Sequence, residues 1–355
     1  MKKRIKKIRS QMEKKDIESL IIDSQNNIFY LTGFTGTAGK VLLTPFDNYF
    51  FTDGRYIEQA NSQIKGFQIK KIDNSYEKLM KEILNDEKIN TIHFESTIIS
   101  YKQFQKYNNE FSGVKLSPVE NIMEELRLKK DESEIAKIKK AVKIADKAFD
   151  EIMDYIKPGL TENEIALKLE YIMRKEGGSE PPFDYIVASG KRSSLPHGVA
   201  SDKKIKNGDF VTMDFGIKYE GYCSDITRTV ILGKHTSKQQ EIYETVLKAQ
   251  KQVIKEIEPG MNTKNIDAIA RDIIKEAGYG DNFKHSLGHG LGIEVHEQPR
   301  ISYKNEDKIE AGMVITNEPG IYISDWGGVR IEDDLLITDS GCEVLNSAPK
   351  ELIIL

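Results

Sequence analysis

Cysteine is scarce: Cys223 and Cys342 are the only two in 355 residues. Two thiols build no disulfide framework and match no zinc-ligand spacing, so they read as reduced thiols of a cytoplasmic protein. Long apolar runs are missing too, and none approaches the ~18 residues of a membrane-spanning helix. The basic N-terminus (Lys2, Lys3, Arg4, Lys6, Lys7, Arg9) has no apolar stretch after it, which argues against a secretory signal. Ile5, Ile8 and Met12 instead recur at helical spacing and predict an amphipathic helix. Nor is there a surplus of either charge. A net charge of -4 gives no electrostatic footprint for nucleic acid.

What is present is an ordinary globular mixture, 30% charged and 39% hydrophobic. At ~100–200 residues per domain, the length implies two domains, placed at 1–125 and 126–355. The first reads as α/β. Strands are expected at Leu20-Ile-Ile22, Ile28-Phe-Tyr-Leu31, Lys40-Val-Leu-Leu43, Asn48-Tyr-Phe-Phe51, Gln68–Ile72 and Thr91–Phe94. Helices are expected through Tyr56–Ala60, Tyr76–Leu84 and Tyr101–Phe111. Gly33, Gly36 and Gly39 superficially resemble a phosphate loop. Their spacing fits neither nucleotide fingerprint and no lysine closes it, so a mobile or tightly turned loop is the better reading.

The charged stretch Lys129–Glu134 opens the second domain, ahead of a long helix to about Ile156. An internal repeat follows. Lys147–Leu160 aligns without gaps on Lys248–Met261, at an offset of 101 residues, and Ile165, Ile172, Met173 and Gly177 continue the match onto Ile266, Ile273, Ile274 and Gly278. Each copy reads helix, Pro-Gly turn, helix, glycine stop. Thr161-Glu-Asn-Glu164 is a capping box. Strands follow each helix pair, at Tyr185–Ala188 and Val211–Val230, then at Val314–Asn317 and Arg330–Thr338. The domain is therefore expected to be a duplicated α+β unit with pseudo-twofold symmetry and a cleft between its halves.

The stretch Val211–Val230 alternates as a β-hairpin turning at Tyr219-Glu-Gly221, yet its arms carry Asp214 and Asp225. Solvent exposure on an edge hairpin is one explanation. Burial is the other, and then the carboxylates need a partner, for which a metal ion is the strongest available. The second half supplies further ligand types. His285, His289 and His296 fall within twelve residues, interleaved with Gly288, Gly290 and Gly292. Glu318 sits between an apolar strand and a Pro-Gly turn. In a single strand from Arg330, period 2 would put Arg330, Glu332 and Asp334 on one face and Ile331 and Asp333 on the other. Two Asp, two Glu and one or more His suit a pair of Mn²⁺, Co²⁺ or Zn²⁺ ions better than a structural zinc.

In this order, Asp214, Asp225, His289, Glu318 and Glu332 resemble the metal-ligand motifs of the pita-bread metallopeptidases, the family of methionine aminopeptidase, aminopeptidase P, prolidase and the metal-free creatinase. Asn27-Ile-Phe-Tyr-Leu-Thr-Gly-Phe34 and Thr52-Asp-Gly-Arg-Tyr56 are similar to the creatinase-type N-terminal domain. In the second domain, Asn317 departs from the apolar residue that many relatives have and leaves Glu318 in place. The resemblance implies a C-terminal pita-bread catalytic domain holding two divalent ions, Mn²⁺ first. The five ligands would hold them, and Glu318 would also shuttle a proton for a water shared between the ions. His197 and His296 would act on substrate and on the tetrahedral intermediate; His285 and Arg330 would shape the site around proline. The implied activity is removal of an N-terminal residue from peptides with proline second, with Ser193–Ala200 most like short bacterial aminopeptidase P. Xaa-Pro dipeptidase is the alternative. A catalytically silent binding module is a further one, although such modules lose ligands and none is lost here. A cytoplasmic homodimer with peptide substrates, and no nucleic acid or membrane partner, completes the expectation.

Overall fold

The computed structural model describes residues 2–355 and divides into two compact units, Met1–Arg127 and Leu128–Leu355. The first contains α1 (Lys2–Lys14), β1 (Leu20–Ile22), α2 (Gln25–Thr32), β2 (Lys40–Leu43), β3 (Asn48–Asp53), α3 (Ile57–Gln63), β4 (Gln68–Ile72), α4 (Tyr76–Asp86), β5 (Thr91–Glu95), α5 (Tyr101–Glu110), β6 (Lys115–Val119) and α6 (Ile122–Arg127). Its mixed sheet runs β4-β3-β2-β1-β5-β6. The central strand β1 is apolar throughout and buried on both faces, as a covered inner strand must be. β6 carries Pro118, which a sheet accommodates at its edge, and β6 is an edge strand.

One expectation fails here. Ile28–Leu31 is not a strand but the middle of α2. Ser24 caps the helix by accepting the Asn27 N–H, and Gly33 ends it in the left-handed region, φ 74°, donating to the Phe29 carbonyl. Ile28, Tyr30 and Leu31 are all buried, so the run has no polar face, and periodicity alone cannot separate a short buried helix from a strand. The glycine loop after it is tightly packed. A Cβ on Gly36 would stand 2.3 Å from the Phe34 ring.

The second unit contains α7 (Glu132–Met153), α8 (Glu162–Lys175), β7 (Ile186–Ser189), β8 (Phe210–Phe215), β9 (Lys218–Tyr219), β10 (Tyr222–Cys223), β11 (Ile226–Ile231), α9 (Ser237–Glu256), α10 (Thr263–Glu276), β12 (Gly288–Gly290), β13 (Glu297–Ile301), β14 (Val314–Asn317), β15 (Gly320–Ile323), β16 (Gly327–Arg330), β17 (Asp333–Thr338) and β18 (Gly341–Val344). Capping boxes start α7 at Asp131, α8 at Thr161 and α9 at Thr236. Each half has its own core. Ile144, Phe149, Ile165 and Leu169 of α7 and α8 pack with Val211, Met213 and Phe215 of β8. Ile242, Val246, Ile266 and Ile274 of α9 and α10 pack with Ile315, Leu335 and Ile337.

The duplication is written in the hydrogen bonds. The Gly159 N–H donates to Ile205 and the Ile205 N–H to Leu160; in the second half Gly260 donates to Ile309 and Ile309 to Met261. The turn glycines match in conformation, with φ 96° at Gly159 and 88° at Gly260. Three-residue insertion after the helices shifts the offset from 101 to 104, which carries Phe210 onto Val314 and Asp214 onto Glu318.

The hairpin at 211–230 turns at Glu220-Gly221, where φ values of 46° and 82° give the tight two-residue turn of β9 and β10. The expected single strand Arg330–Thr338 is instead two strands in different sheets. At the crossing the Ile331 N–H donates to Pro319 and the Glu332 N–H to Thr227, so period 2 does not run through Glu332. Among the described residues no helix is long and apolar enough to cross a membrane.

Candidate metal centre

Val211, Met213 and Phe215 face the first core, so strand alternation turns Thr212 and Asp214 to the opposite face of β8. Asp214 pairs across the ladder with Thr227. Asp225 lies just ahead of β11, where its N–H donates to Asp334 Oδ2 at 3.0 Å. Glu332 is the crossing residue between β16 and β17, and its Oε2 accepts from Thr227 Oγ1 at 2.5 Å. Glu318 follows β14, anchored by its N–H to the Leu287 carbonyl.

His289 on β12 completes the group. Its Nδ1 is 3.0 Å from the Gly290 carbonyl oxygen, a pairing that requires an N–H at Nδ1 and leaves the Nε2 lone pair free. That Nε2 stands 3.4 Å from Glu318 Oε1 and 3.7 Å from Asp225 Oδ2. Ligand atoms of Asp225, His289 and Glu332 all lie within 4.8 Å of one another. Strand register places Ala188 of the first half at the position of His289, so the imidazole has no symmetry mate and the centre is asymmetric.

The crowding has an electrostatic consequence. Burial pushes the carboxyls of Asp225 and Glu332 well above the usual carboxylate range, and neighbouring carboxylates push the same way. Glu318 is pushed up to about 8 by burial, with Asp214 adding to the effect and Arg330 opposing it. Burial lowers His289 to about 4, which keeps its imidazole neutral. Asp214 Oδ1 and Asp225 Oδ1 are buried with no hydrogen-bond donor. Orphaned carboxyl oxygens and a neutral imidazole lone pair are what divalent cations satisfy, and the residues fit such ions.

Around this group stands a basic and aromatic frame. Arg330 donates to Asp214 Oδ2 at 2.5 Å, to Thr227 Oγ1 at 3.0 Å, to the Pro196 carbonyl at 3.1 Å and to Tyr322 Oη at 2.7 Å. Tyr322 in turn lies 2.9 Å from His285 Nε2, while His285 Nδ1 bonds the Ser286 carbonyl. Burial, then the Arg330 charge, hold His285 down at about 3, so a neutral imidazole accepts from the tyrosine hydroxyl. His296 is exposed, its ring centroid 4.4 Å from that of His289. His197 is exposed on the loop after β7, directly following Pro196, whose carbonyl accepts from Arg330.

Every site residue read from the sequence thus falls in or beside one cluster. Tyr322 and Thr227 were missed. Glycines signal the tyrosine: Gly320 lies two residues before it, where a Cβ would meet its hydroxyl at 2.6 Å, and Gly328 faces it across β16. Thr227 looks like an ordinary strand residue and gives no such signal.

Comparison with known proteins agrees with this architecture. Residues 136–339 match metallopeptidase family M24, and residues 4–129 match the creatinase/prolidase N-terminal domain. The chain is 42% identical to the Xaa-Pro dipeptidase of Pyrococcus furiosus, over 99% of this chain and 100% of that one. The solved Xaa-Pro dipeptidase from Bacillus anthracis superposes with a TM-score of 0.97 at 43% identity, covering 99% of both chains. The X-Pro aminopeptidase from Thermotoga maritima gives 0.91 at 40% identity, over 95% of this chain and 97% of that one. With both of its domains matched and its full length shared with these relatives, the chain belongs to metallopeptidase family M24, with a pita-bread catalytic domain behind a creatinase-like N-terminal domain.

Proposed function

We propose that this chain is a dinuclear metal-dependent peptidase that hydrolyses the bond before proline and releases the N-terminal residue of the peptide. The observation that carries the reading is the His289 Nε2 lone pair, aimed at the carboxyls of buried Asp225 and half-buried Glu318, with Oδ1 of Asp225 and Oδ1 of Asp214 left without a donor. Asp214, Asp225, His289, Glu318 and Glu332 would hold the ions, for which Mn²⁺ is proposed. Divalent ions in such a site supply a water of lowered pKa and an electrophile for the scissile carbonyl. The names of the relatives support proline as the residue after the cut. Proline lacks an N–H, so a site for it needs shape rather than an acceptor at that nitrogen.

The remaining steps belong to the chain's own side chains. Glu318, half-buried beside His289, takes the proton of the attacking water at a carboxylate oxygen and passes it to the departing proline nitrogen. His296 and His197 orient the peptide and donate to the carbonyl oxygen as charge develops on it. Arg330, fixed by four partners, and His285 behind Tyr322 hold the wall against which proline rests.

A second reading, strict Xaa-Pro dipeptidase, is favoured by the names of the Pyrococcus and Bacillus relatives. Incubation of the Mn²⁺-loaded protein with Xaa-Pro and Xaa-Pro-Yaa peptides separates the two. Release of Xaa from the tripeptide supports the aminopeptidase; cleavage of the dipeptide alone overturns it. We further propose a homodimer, which light scattering at micromolar concentration checks; a monomeric mass contradicts it.

A further inference from the structure

His197 is exposed at the tip of a loop, and a side chain that acts on substrate from such a place needs its backbone held. The loop runs from the end of β7 to Lys203. Its tip is tied to the site by the Arg330 bond to the Pro196 carbonyl. Its base closes on a single carboxylate, Glu162, the first residue of α8, whose side chain is fully buried. Glu162 Oε1 accepts from the Ser189 N–H and from Ser189 Oγ, both at 2.8 Å. Oε2 accepts from Ser201 Oγ at 2.6 Å and from Arg192. The two serines are the loop's two ends, so one carboxylate clasps both. Arg192 then reaches across the loop with its other nitrogen to the Val199 carbonyl at 2.9 Å. Lys203 Nζ closes the ring by donating to Ser189 Oγ at 2.6 Å and to Asp209 at 2.9 Å.

The duplication supplies an internal control. In the second half the 101-residue offset puts Thr263 where Glu162 stands. Thr263 is equally buried, and its hydroxyl bonds one backbone carbonyl, that of Asn305, at 2.8 Å. The helix start and the fold around it are therefore satisfied by a neutral hydroxyl. Burying a carboxylate costs free energy unless it is fully bonded, so the four-partner arrangement in the first half points to a demand of that half alone. Local to it is the loop that carries His197.

We propose that Glu162 is a positioning residue for the peptidase reaction, acting through the 190–201 loop, whose tip Arg330 ties at the Pro196 carbonyl, to hold His197 in place. The inference rests on the reading that His197 acts on substrate. Glu162→Gln keeps the shape and removes the charge that Arg192 and the serines share. A loss of roughly ten- to a hundredfold in kcat/KM is expected, the range seen when outer-sphere partners are removed, with metal content unchanged. Amide hydrogen exchange should rise within 190–201 and not in β14 or β17. The double variant His197→Ala with Glu162→Gln should lose no more than His197→Ala alone, because both remove one function.

Additive losses, or unchanged exchange in 190–201, overturn the proposal. If His197→Ala is itself harmless, the role of His197 in the reaction is wrong, and with it the part of the proposal that acts through His197. Exchange in the loop then decides whether Glu162 clasps it at all. Should Glu162→Gln fail to fold, Ser201→Ala removes one bond of the clasp without touching Arg192, and the same measurements apply.

Discussion

Arg330 and Asp214 form a buried pair in which the guanidinium occupies one carboxylate oxygen, Oδ2 at 2.5 Å, and leaves the other, Oδ1, buried and without a donor. The pair thereby leaves Oδ1 as the oxygen of Asp214 that a cation could take. The same arginine fixes Tyr322 and the Pro196 carbonyl, so the proposed ligand Asp214 and the proposed substrate wall share one anchor. A lysine cannot reproduce four directed N–H bonds. Arg330→Lys should lose at least tenfold in kcat/KM while the protein still folds and takes up metal. Retention of near-native turnover in that variant contradicts the anchoring role.

The metal-free protein should become less stable as pH rises above 6.5. Glu318 sits near pH 8 in the fold against an ordinary carboxyl near 4.5, and Asp225 and Glu332 are raised as well. A raised carboxyl binds protons in the folded state that the unfolded chain has released, so its stabilisation is complete below about pH 4.5 and fades as pH climbs through about 8. His285 and His289 act in the opposite sense, through depressed values, and only below about 6.5. Between pH 6.5 and 8 the carboxyls therefore set the sign. Melting temperature of chelator-treated protein should fall across that window. Added divalent ions should raise it more at pH 8 than at 6.5, because they take the ionised form. A rise in the metal-free melting temperature over the same window contradicts the clustering.

His296 is expected to matter to turnover and not to metal binding. Its ring stands edge-on against that of His289, and the residue is exposed where the proposed ligands are buried or half-buried. His296→Ala should keep full metal content and melting temperature and lose ~10²–10³ in kcat, the cost of one oxyanion-type donor. Equal losses in kcat and kcat/KM mark a contact made in the transition state. An unchanged kcat sinks the role.

The candidate ligands are more legible in the sequence than the strands that carry them. Asp214 and Asp225 are conspicuous because a carboxylate in an apolar alternation has no ordinary explanation, and clustered histidines among glycines are conspicuous for a similar reason. The duplicated helices were legible because turn glycines and capping boxes are local chemistry. Ile28–Leu31 was misread because burial on all sides erases the 3.6-residue period. Arg330–Thr338 was misread because the sheet change at Ile331-Glu332 is enforced by Pro319 and Thr227, partners from other segments of the chain. Tyr322 and Thr227 were invisible for the same kind of reason: their significance lies in what the fold brings to them.

The carboxylate–imidazole cluster is proposed as the metal centre of a proline-directed peptidase. Metal content and hydrolysis of an Xaa-Pro-Yaa peptide should be measured together on the wild-type protein, on Asp225→Asn and on Glu332→Gln. The wild type is expected to bind two divalent ions per chain, to lose activity with a chelator and to regain it with Mn²⁺. Each variant is expected to bind fewer ions and to stay inactive at saturating Mn²⁺. Near-native turnover in either variant at low metal would contradict it.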